Sequence, residues 1–241
     1  MSSLFEAPPV KLAMGAGYPM FMCQRAMLEK ALGRDDDRVR VLAKEWAAGM
    51  RARLRIDIEC EGFDAIDWSQ PYVVMANHQS YLDVLALFSA LPKTFGVVAK
   101  AELFRIPFFA GVMNALGCVS VDRSKRVDAI STMREAAERV RAGTTIAVFP
   151  EGTRSRGDRI QPLKRGPFHL ARLAGVPALP VGIRGTHSLM PRENTGIRAG
   201  KIQIRCGEPI QPPASSGAKM NRFVADVRAS LGRLAEVPLV D

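Results

Sequence analysis

His78 and Asp83 stand five positions apart in the stretch Asn77-His78-Gln79-Ser80-Tyr81-Leu82-Asp83. An imidazole held through one ring nitrogen by a carboxylate has a fixed tautomer and orientation, and acts as a general base through the other nitrogen. The apolar run Tyr72-Val73-Val74-Met75-Ala76 precedes the stretch and reads as a buried strand, and Val84–Leu91 after it reads as a helix. Ser80 is a good N-cap, with Asp83 three residues on as in a capping box that has Asp in place of Glu. That geometry turns Asp83 back toward the loop that carries His78. The plainer alternative is that Asp83 only caps the helix and His78 only bonds to the backbone.

Three further apolar runs end in polar residues at the same relative place. Val97-Val98-Ala99 leads to Lys100, Val119-Ser120-Val121 to Arg123, and Ala147-Val148-Phe149 to Glu151 and Arg154. In α/β sheets, ligands sit outside the carboxyl ends of the strands. A histidine base and three cations on one such edge describe a pocket for an anionic substrate with a hydroxyl to activate. Arg suits phosphate through paired hydrogen bonds, and Lys as a point charge. For any one cation the alternative is a solvated surface charge; four strand ends that agree are harder to dismiss.

The elements that must position these groups alternate along the chain. Arg53–Glu61 alternates apolar and charged residues and reads as a half-buried strand, with Leu54, Ile56, Ile58 and Cys60 facing one way. After the strand at 72–76 and a helix from Ser80 to Leu91 come a strand at Thr94–Ala99 and a partly helical stretch over 101–116, interrupted by Pro107 and Gly111. Then follow a strand at Gly117–Val121 and a helix with Val127, Ile130, Met133, Ala137 and Val140 on one face, closed by Gly143. A strand at Thr144–Phe149, a helix at Pro167–Ala174, strands at Ala178–Ile183 and Lys201–Cys206, and a helix with Met220, Phe223, Val224, Val227, Leu231 and Leu234 on one face complete the chain. The expected fold is α/β: a mixed, largely parallel sheet flanked by helices.

Composition narrows the partners. With 241 residues and 47% apolar content, the chain can bury a substantial core. Its formal charge of +10, from 34 Lys and Arg against 24 Asp and Glu, favours an anionic partner. Cys23, Cys60, Cys118 and Cys206 lie far apart and read as reduced thiols, with no metal-ligand spacing. Residues 1–50 are read as an N-terminal helical hairpin and 51–241 as the main domain. The hairpin is rich in Met, and Val39, Leu42, Ala43, Trp46, Ala47 and Met50 recur at helical spacing opposite basic residues. It suits a surface that dips into lipid headgroups and equally a hairpin packed on the main domain; the two are compatible. Leu12–Cys23 contains Gly15, Gly17 and Pro19 and falls short of the ~20 residues that span a bilayer, and it lacks a signal-peptide cleavage site.

Four ordered blocks now carry a resemblance. They are Asn77-His78-x4-Asp83, Gly117-Cys118-Val119-Ser120-Val121-Asp122-Arg123, Phe149-Pro150-Glu151-Gly152-Thr153-Arg154-Ser155, and Val176-Pro177-Ala178-Leu179-Pro180-Val181. Over residues 50–210 the chain resembles the glycerolipid acyltransferases typified by 1-acylglycerol-3-phosphate acyltransferase. The resemblance implies that His78, oriented by Asp83, takes the proton from the free sn-2 hydroxyl of 1-acylglycerol-3-phosphate, which attacks an acyl thioester directly to give phosphatidic acid. It implies that Glu151, Gly152, Thr153 and Arg154 belong to the acceptor site, with Lys100 and Arg123 near the phosphate and Lys164 as a further candidate. The co-substrate would be acyl-CoA or acyl carrier protein, with no metal and no other cofactor. Two departures stand out: Ser120 replaces a bulky apolar residue, and the N-terminus lacks the membrane-spanning helix of many members. The second implies a peripheral protein on the cytoplasmic face of the cell membrane, held by the hairpin and by cations on an anionic surface, each worth ~1 kcal/mol there.

Rival readings keep part of this. Another lyso-lipid acceptor, a lyso-ornithine lipid or a different lysophospholipid, would use the same chemistry. Nucleic-acid binding fits the charge, but no base-reading basic helix is evident and aromatic content is only 7%. His169 and His187 read as structural or loop residues, Ser80 as a cap in place of a nucleophile, and Cys118 as core.

Overall fold

Stretches of three to seven residues, mostly apolar at the centre and alternating in the β1–β7 pair at one edge, form the strands of one seven-stranded sheet. The computed structural model describes residues 18, 21–29, 31–33, 36–106, 109–121, 126–193 and 196–240. In chain order the elements are helix α1 (21–29), α2 (Asp36–Leu54), β1 (Ile56–Glu61), β2 (Val73–Ala76), α3 (Leu82–Ala90), β3 (Phe95–Lys100), a 3-10 turn (Ala101–Arg105), α4 (Phe109–Ala115), β4 (Val119–Val121), α5 (Arg126–Arg141), β5 (Thr145–Val148), α6 (Gly166–Ala174), β6 (Ala178–Arg184), α7 (Thr186–Leu189), β7 (Gly200–Cys206) and α8 (Ala218–Ala235).

The strands lie in the order β1-β7-β6-β2-β5-β3-β4. All neighbours are parallel except β6 and β7. Parallel neighbours connected by helices are covered on both faces, and this is why β2, β5 and most of β6 are unbroken apolar runs without alternation. Successive residues still point to opposite faces. Val74 and Ala76 join a core with Ala43, Ala47, Met50, Leu85 and Leu87, while Val73 and Met75 join one with Val140, Phe168, Phe223 and Val227. So α2 and α3 cover one face, and α5, α6 and α8 the other. The α/β class and the mixed, mostly parallel sheet are as expected from the sequence.

One element differs from expectation. Helix α2 runs through Arg53 to Leu54, Arg55 turns the chain at φ +54°, and β1 starts only at Ile56. Positions 43, 47, 50 and 54 continue one helical stripe, so packing on the core extends the helix into what reads as strand alternation. Ile56 and Ile58 are buried, but Cys60, nearer the end of this edge strand, is exposed. Residue 50, the expected limit of the hairpin, falls inside α2. Within the hairpin, Met22 and Ala26 pack against Val39 and Leu42, Arg25 pairs with Glu45 at 2.8 Å, and Arg53 lies over the Tyr18 ring at 3.7 Å. Residues 1–17, 19 and 20, with Met14 and Met20 of the Met-rich stretch among them, lie outside the described residues. Among the described residues no helix is long and apolar enough to cross a membrane.

Candidate active site

Strand β2 stops because Asn77 substitutes for the next rung of the ladder. Its side-chain amide donates to the Ile183 carbonyl at 2.8 Å and accepts from the Ile183 N–H at 2.7 Å. The side chain thus satisfies β6 while the main chain turns away, which frees His78 for the loop. The bonds of the loop then converge on Asp83, whose carboxylate is fully buried. Its Oδ2 lies 2.8 Å from His78 Nδ1 and accepts the N–H groups of Gln79 and Ser80 at 2.7 and 2.8 Å. The contact to Ser80 N–H is the capping-box bond anticipated from sequence. Ser80 Oγ in turn accepts the Leu82 N–H and donates to the Met190 carbonyl at 2.9 Å, which makes it a cap and a tether.

His78 is therefore held on one nitrogen. Its side chain is 15% exposed, and Nε2 has no protein partner among the described residues. The Phe149 ring stacks on the imidazole, with centroids 3.9 Å apart and 15° between the planes. This fixes the ring plane as Asp83 fixes the nitrogen. The pair can remove a proton from a hydroxyl placed at Nε2, with Asp83 stabilising the imidazolium that forms.

The loop after β5 closes over the same place. The Ser155 N–H donates to the His78 carbonyl at 2.8 Å. Glu151, only 2% exposed, accepts the His78 N–H on Oε1 at 2.6 Å, and the Ser155 hydroxyl and Gln161 N–H on Oε2 at 2.7 and 2.8 Å. Burial pushes its carboxyl above the ordinary range, and these three hydrogen bonds offset only part of that rise. Glu151 is turned inward and holds the two loops together. Gly152 adopts φ +73°, and Lys164 lies across it: a Cβ there would come within 2.9 Å of the lysine stem. Lys164 also donates its backbone N–H to the Pro150 carbonyl at 2.8 Å, so the 163–165 segment runs alongside the loop.

Thr153 and Lys100 are exposed at the rim. The guanidinium of Arg154 sits over the Tyr81 ring, 3.8 Å from its centroid, and makes no ion pair among the described residues. The parallel pairing of β2, β5 and β3 places the ends bearing His78, Glu151–Arg154 and Lys100 on one edge of the sheet. Strand β4 runs parallel to β3 and ends at Val121, but Arg123 lies outside the described residues. Among the described residues no three His, Cys, Asp or Glu side chains are grouped to hold a metal ion. Cys118 is core: it is buried, and its thiol is pushed up to about 11 by desolvation. His169 is half-buried on α6, and His187, on α7 beyond β6, has a buried Nδ1 with no partner among the described residues.

Several residues at the site escaped the sequence reading as agents. Phe149 and Ser155 lie inside a recognised block, so their place was marked though not their task. Arg192, whose Nη1 donates to the Arg154 carbonyl at 2.7 Å, carries no pattern at all.

Comparison with known proteins gives the family and the fold. Residues 57–184 match the family model described as Acyltransferase. The chain is 34% identical to the 1-acyl-sn-glycerol-3-phosphate acyltransferase of Saccharomyces cerevisiae over 182 residues, 74% of this chain and 60% of that protein. It is 32% identical to the alpha 1-acyl-sn-glycerol-3-phosphate acyltransferase of Bos taurus over 83% of this chain and 70% of that one. It superposes with a TM-score of 0.75 on the crystal structure of the 1-acyl-sn-glycerophosphate (LPA) acyltransferase PlsC from Thermotoga maritima. There the identity is 30%, with 91% of this chain and 87% of that chain covered.

Proposed function

The chain belongs to the acyltransferase family, and from that premise we propose that it acylates the sn-2 hydroxyl of 1-acylglycerol-3-phosphate to give phosphatidic acid. The observation that carries this reading is the His78–Asp83 pair at 2.8 Å, with Nε2 unengaged and the unpaired Arg154 on the same sheet edge. In the reaction Nε2 accepts the hydroxyl proton as the oxygen attacks the thioester carbonyl carbon. The tetrahedral adduct collapses, the C–S bond breaks, the new ester forms, and the thiolate leaves and takes up a proton. A thioester is an activated acyl donor, so direct attack suffices; the thiol carrier is acyl-CoA or acyl carrier protein. Arg154, Lys100 and Lys164 would meet the acceptor's phosphate, and Arg123 extends the set by resemblance. The names of the yeast and bovine relatives and of the Thermotoga structure support this acceptor.

The protein works, on this reading, as a peripheral enzyme on the cytoplasmic face of the membrane. Phe21, Leu28, Leu32 and Val41 expose apolar side chains on α1, the turn after it and α2, and the chain carries a formal charge of +10. Acyl transfer to a panel of lyso-lipids, with and without a phosphate monoester, from both donor types tests the reading. Turnover restricted to 1-acylglycerol-3-phosphate supports it, and preference for a phosphate-free acceptor overturns it. Sedimentation with anionic but not neutral vesicles checks the membrane surface.

A further inference from the structure

We infer that Tyr81 and Arg192 are positioning residues for Arg154, holding its guanidinium and its main chain so that its N–H groups stand ready for the acceptor's phosphate. The inference rests on the reading above that the acceptor carries a phosphate.

Tyr81 is an anomaly where it stands. Its neighbours Ser80, Leu82 and Asp83 are buried, yet Tyr81 is 62% exposed at the start of α3. The partner that ring has is the Arg154 guanidinium, 3.8 Å from the ring centroid. An arginine side chain with no carboxylate beside it would sample many rotamers. An aromatic face restrains the cation through its π cloud, and this contact consumes none of the five N–H donors, which lie in the guanidinium plane. The edge that grips phosphate in a paired geometry thus stays available while the side chain is held.

The main chain is held from the other side. Arg192 donates to the Arg154 carbonyl at 2.7 Å, and two residues earlier the Met190 carbonyl accepts the Ser80 hydroxyl at 2.9 Å. The 190–192 segment therefore ties the residue before Tyr81 and the residue lying over Tyr81 to one strap. Ser80–Met190, Arg192–Arg154 and Arg154–Tyr81 close a ring of contacts. Within it the loop carrying the base and the loop carrying the cation cannot drift apart independently. The Ser155 N–H bond to the His78 carbonyl closes the same ring from inside.

Steady-state kinetics with 1-acylglycerol-3-phosphate, run on the full chain, tests this. Tyr81→Ala raises the acceptor KM about two- to fivefold, the size of an exposed cation–π contact. It leaves the donor KM in place, and Tyr81→Phe, which keeps the ring, restores the acceptor KM. Arg192→Ala raises the acceptor KM about three- to tenfold, the net size of one ordinary hydrogen bond, since its loss acts on the phosphate only through Arg154. The deciding measurement is the double-mutant cycle: in an Arg154→Ala background, Tyr81→Ala and Arg192→Ala add nothing further to the acceptor KM. Full additivity in that background, or equal rises in donor and acceptor KM, overturns the inference. A wild-type enzyme that prefers phosphate acceptors beside a Tyr81→Ala variant with unchanged acceptor KM overturns it alone. A wild-type enzyme indifferent to the phosphate overturns it together with the reading it rests on.

Discussion

The loop that carries His78 and the rim that carries the cations are neighbours built on opposite principles. In and behind the loop, Asn77, Gln79, Ser80 and Asp83, with Glu151 and Ser155 from the loop after β5, are all buried, and hydrogen bonds between them and the main chain account for its shape. At the rim, Lys100, Thr153 and Lys164 are exposed, and Arg154 rests on an exposed ring. On the proposed mechanism the loop holds the base, and a proton transfer depends on tenths of an ångström, so a base must be fixed before substrate arrives. Attraction of a phosphate acts over several ångströms and tolerates adjustment, and exposed cations avoid the cost of burying charge without a partner. The molecule spends its buried polar groups where geometry matters most and leaves Lys100 and Lys164 wet, with Arg154 between the two, restrained by a ring.

If that contrast holds, substitutions in the loop strike rate, and substitutions at the rim strike acceptor binding. The largest effect is expected from His78→Ala. Removal of a general base lowers kcat by about 10²–10⁴-fold. The fold survives, because Asp83 keeps the Gln79 and Ser80 N–H groups. An acyl-transfer assay beside a thermal melt measures both, and near-normal kcat in a folded variant removes the mechanism. Next comes Asp83→Asn, with an expected loss in kcat of about 10²-fold. The amide still accepts from the loop N–H groups but no longer offers a charge to the imidazolium. It also places a buried NH2 where Asp83 Oδ1 has no partner now. A drop confined to acceptor KM would erase the distinction between loop and rim.

The same contrast governs what could be read from sequence. The loop was legible, because its residues are adjacent in the chain and each obeys a local rule: His78 at a strand end, Ser80 as cap, Asp83 three residues on. The central strands were legible because burial on both faces demands unbroken apolar runs, as in Val73–Ala76. The end of α2 was not legible, since Leu54 satisfies at once a helical stripe with Ala47 and Met50 and a strand alternation with Ile56 and Ile58, and only packing against the core decides where one stops. Nor was the antiparallel pairing of β6 with β7, which no local pattern encodes. At the site, Glu151 and Arg192 illustrate the limit. Recognising the block put Glu151 near the substrate, but its inward turn depends on donors from His78 and Gln161, far apart in sequence. Arg192 reaches Arg154 across 38 positions with nothing in its neighbours to announce it.

Glu151→Gln probes the seam between the two regions. The carboxylate faces three donors, and an amide must turn its NH2 toward at least one of them, at a cost of about 1–3 kcal/mol for the donor left without an acceptor. Because burial raises the carboxyl above its ordinary 4.5 in the fold, the folded state binds this proton more tightly than the unfolded chain. The linked stabilisation is fully present below about pH 4.5 and is lost as pH rises through the folded value. Denaturant titrations across that window should therefore show a fall in stability in the wild type that Glu151→Gln lacks. An unchanged pH slope in the variant would assign the fall to another group.

The smallest effect belongs to the far end of the rim. Lys100 ends β3, which lies two strands from β2, so at ~4.8 Å per strand its backbone stands about 10 Å from that of the base. It is exposed, with a flexible stem and a compact, strongly hydrated charge, and nothing in the described structure orders it. Arg154, by contrast, is held over a ring and offers a paired grip. Arg154→Ala should raise the acceptor KM at least tenfold, as loss of a charge-assisted hydrogen bond does. Lys100→Ala should raise it about twofold or less at physiological salt, rising at low salt as screening weakens. Salt dependence is the sharper readout: a Lys100 effect that persists unchanged in high salt would mean a direct, ordered contact and would move Lys100 from the wet rim into the fixed part of the site.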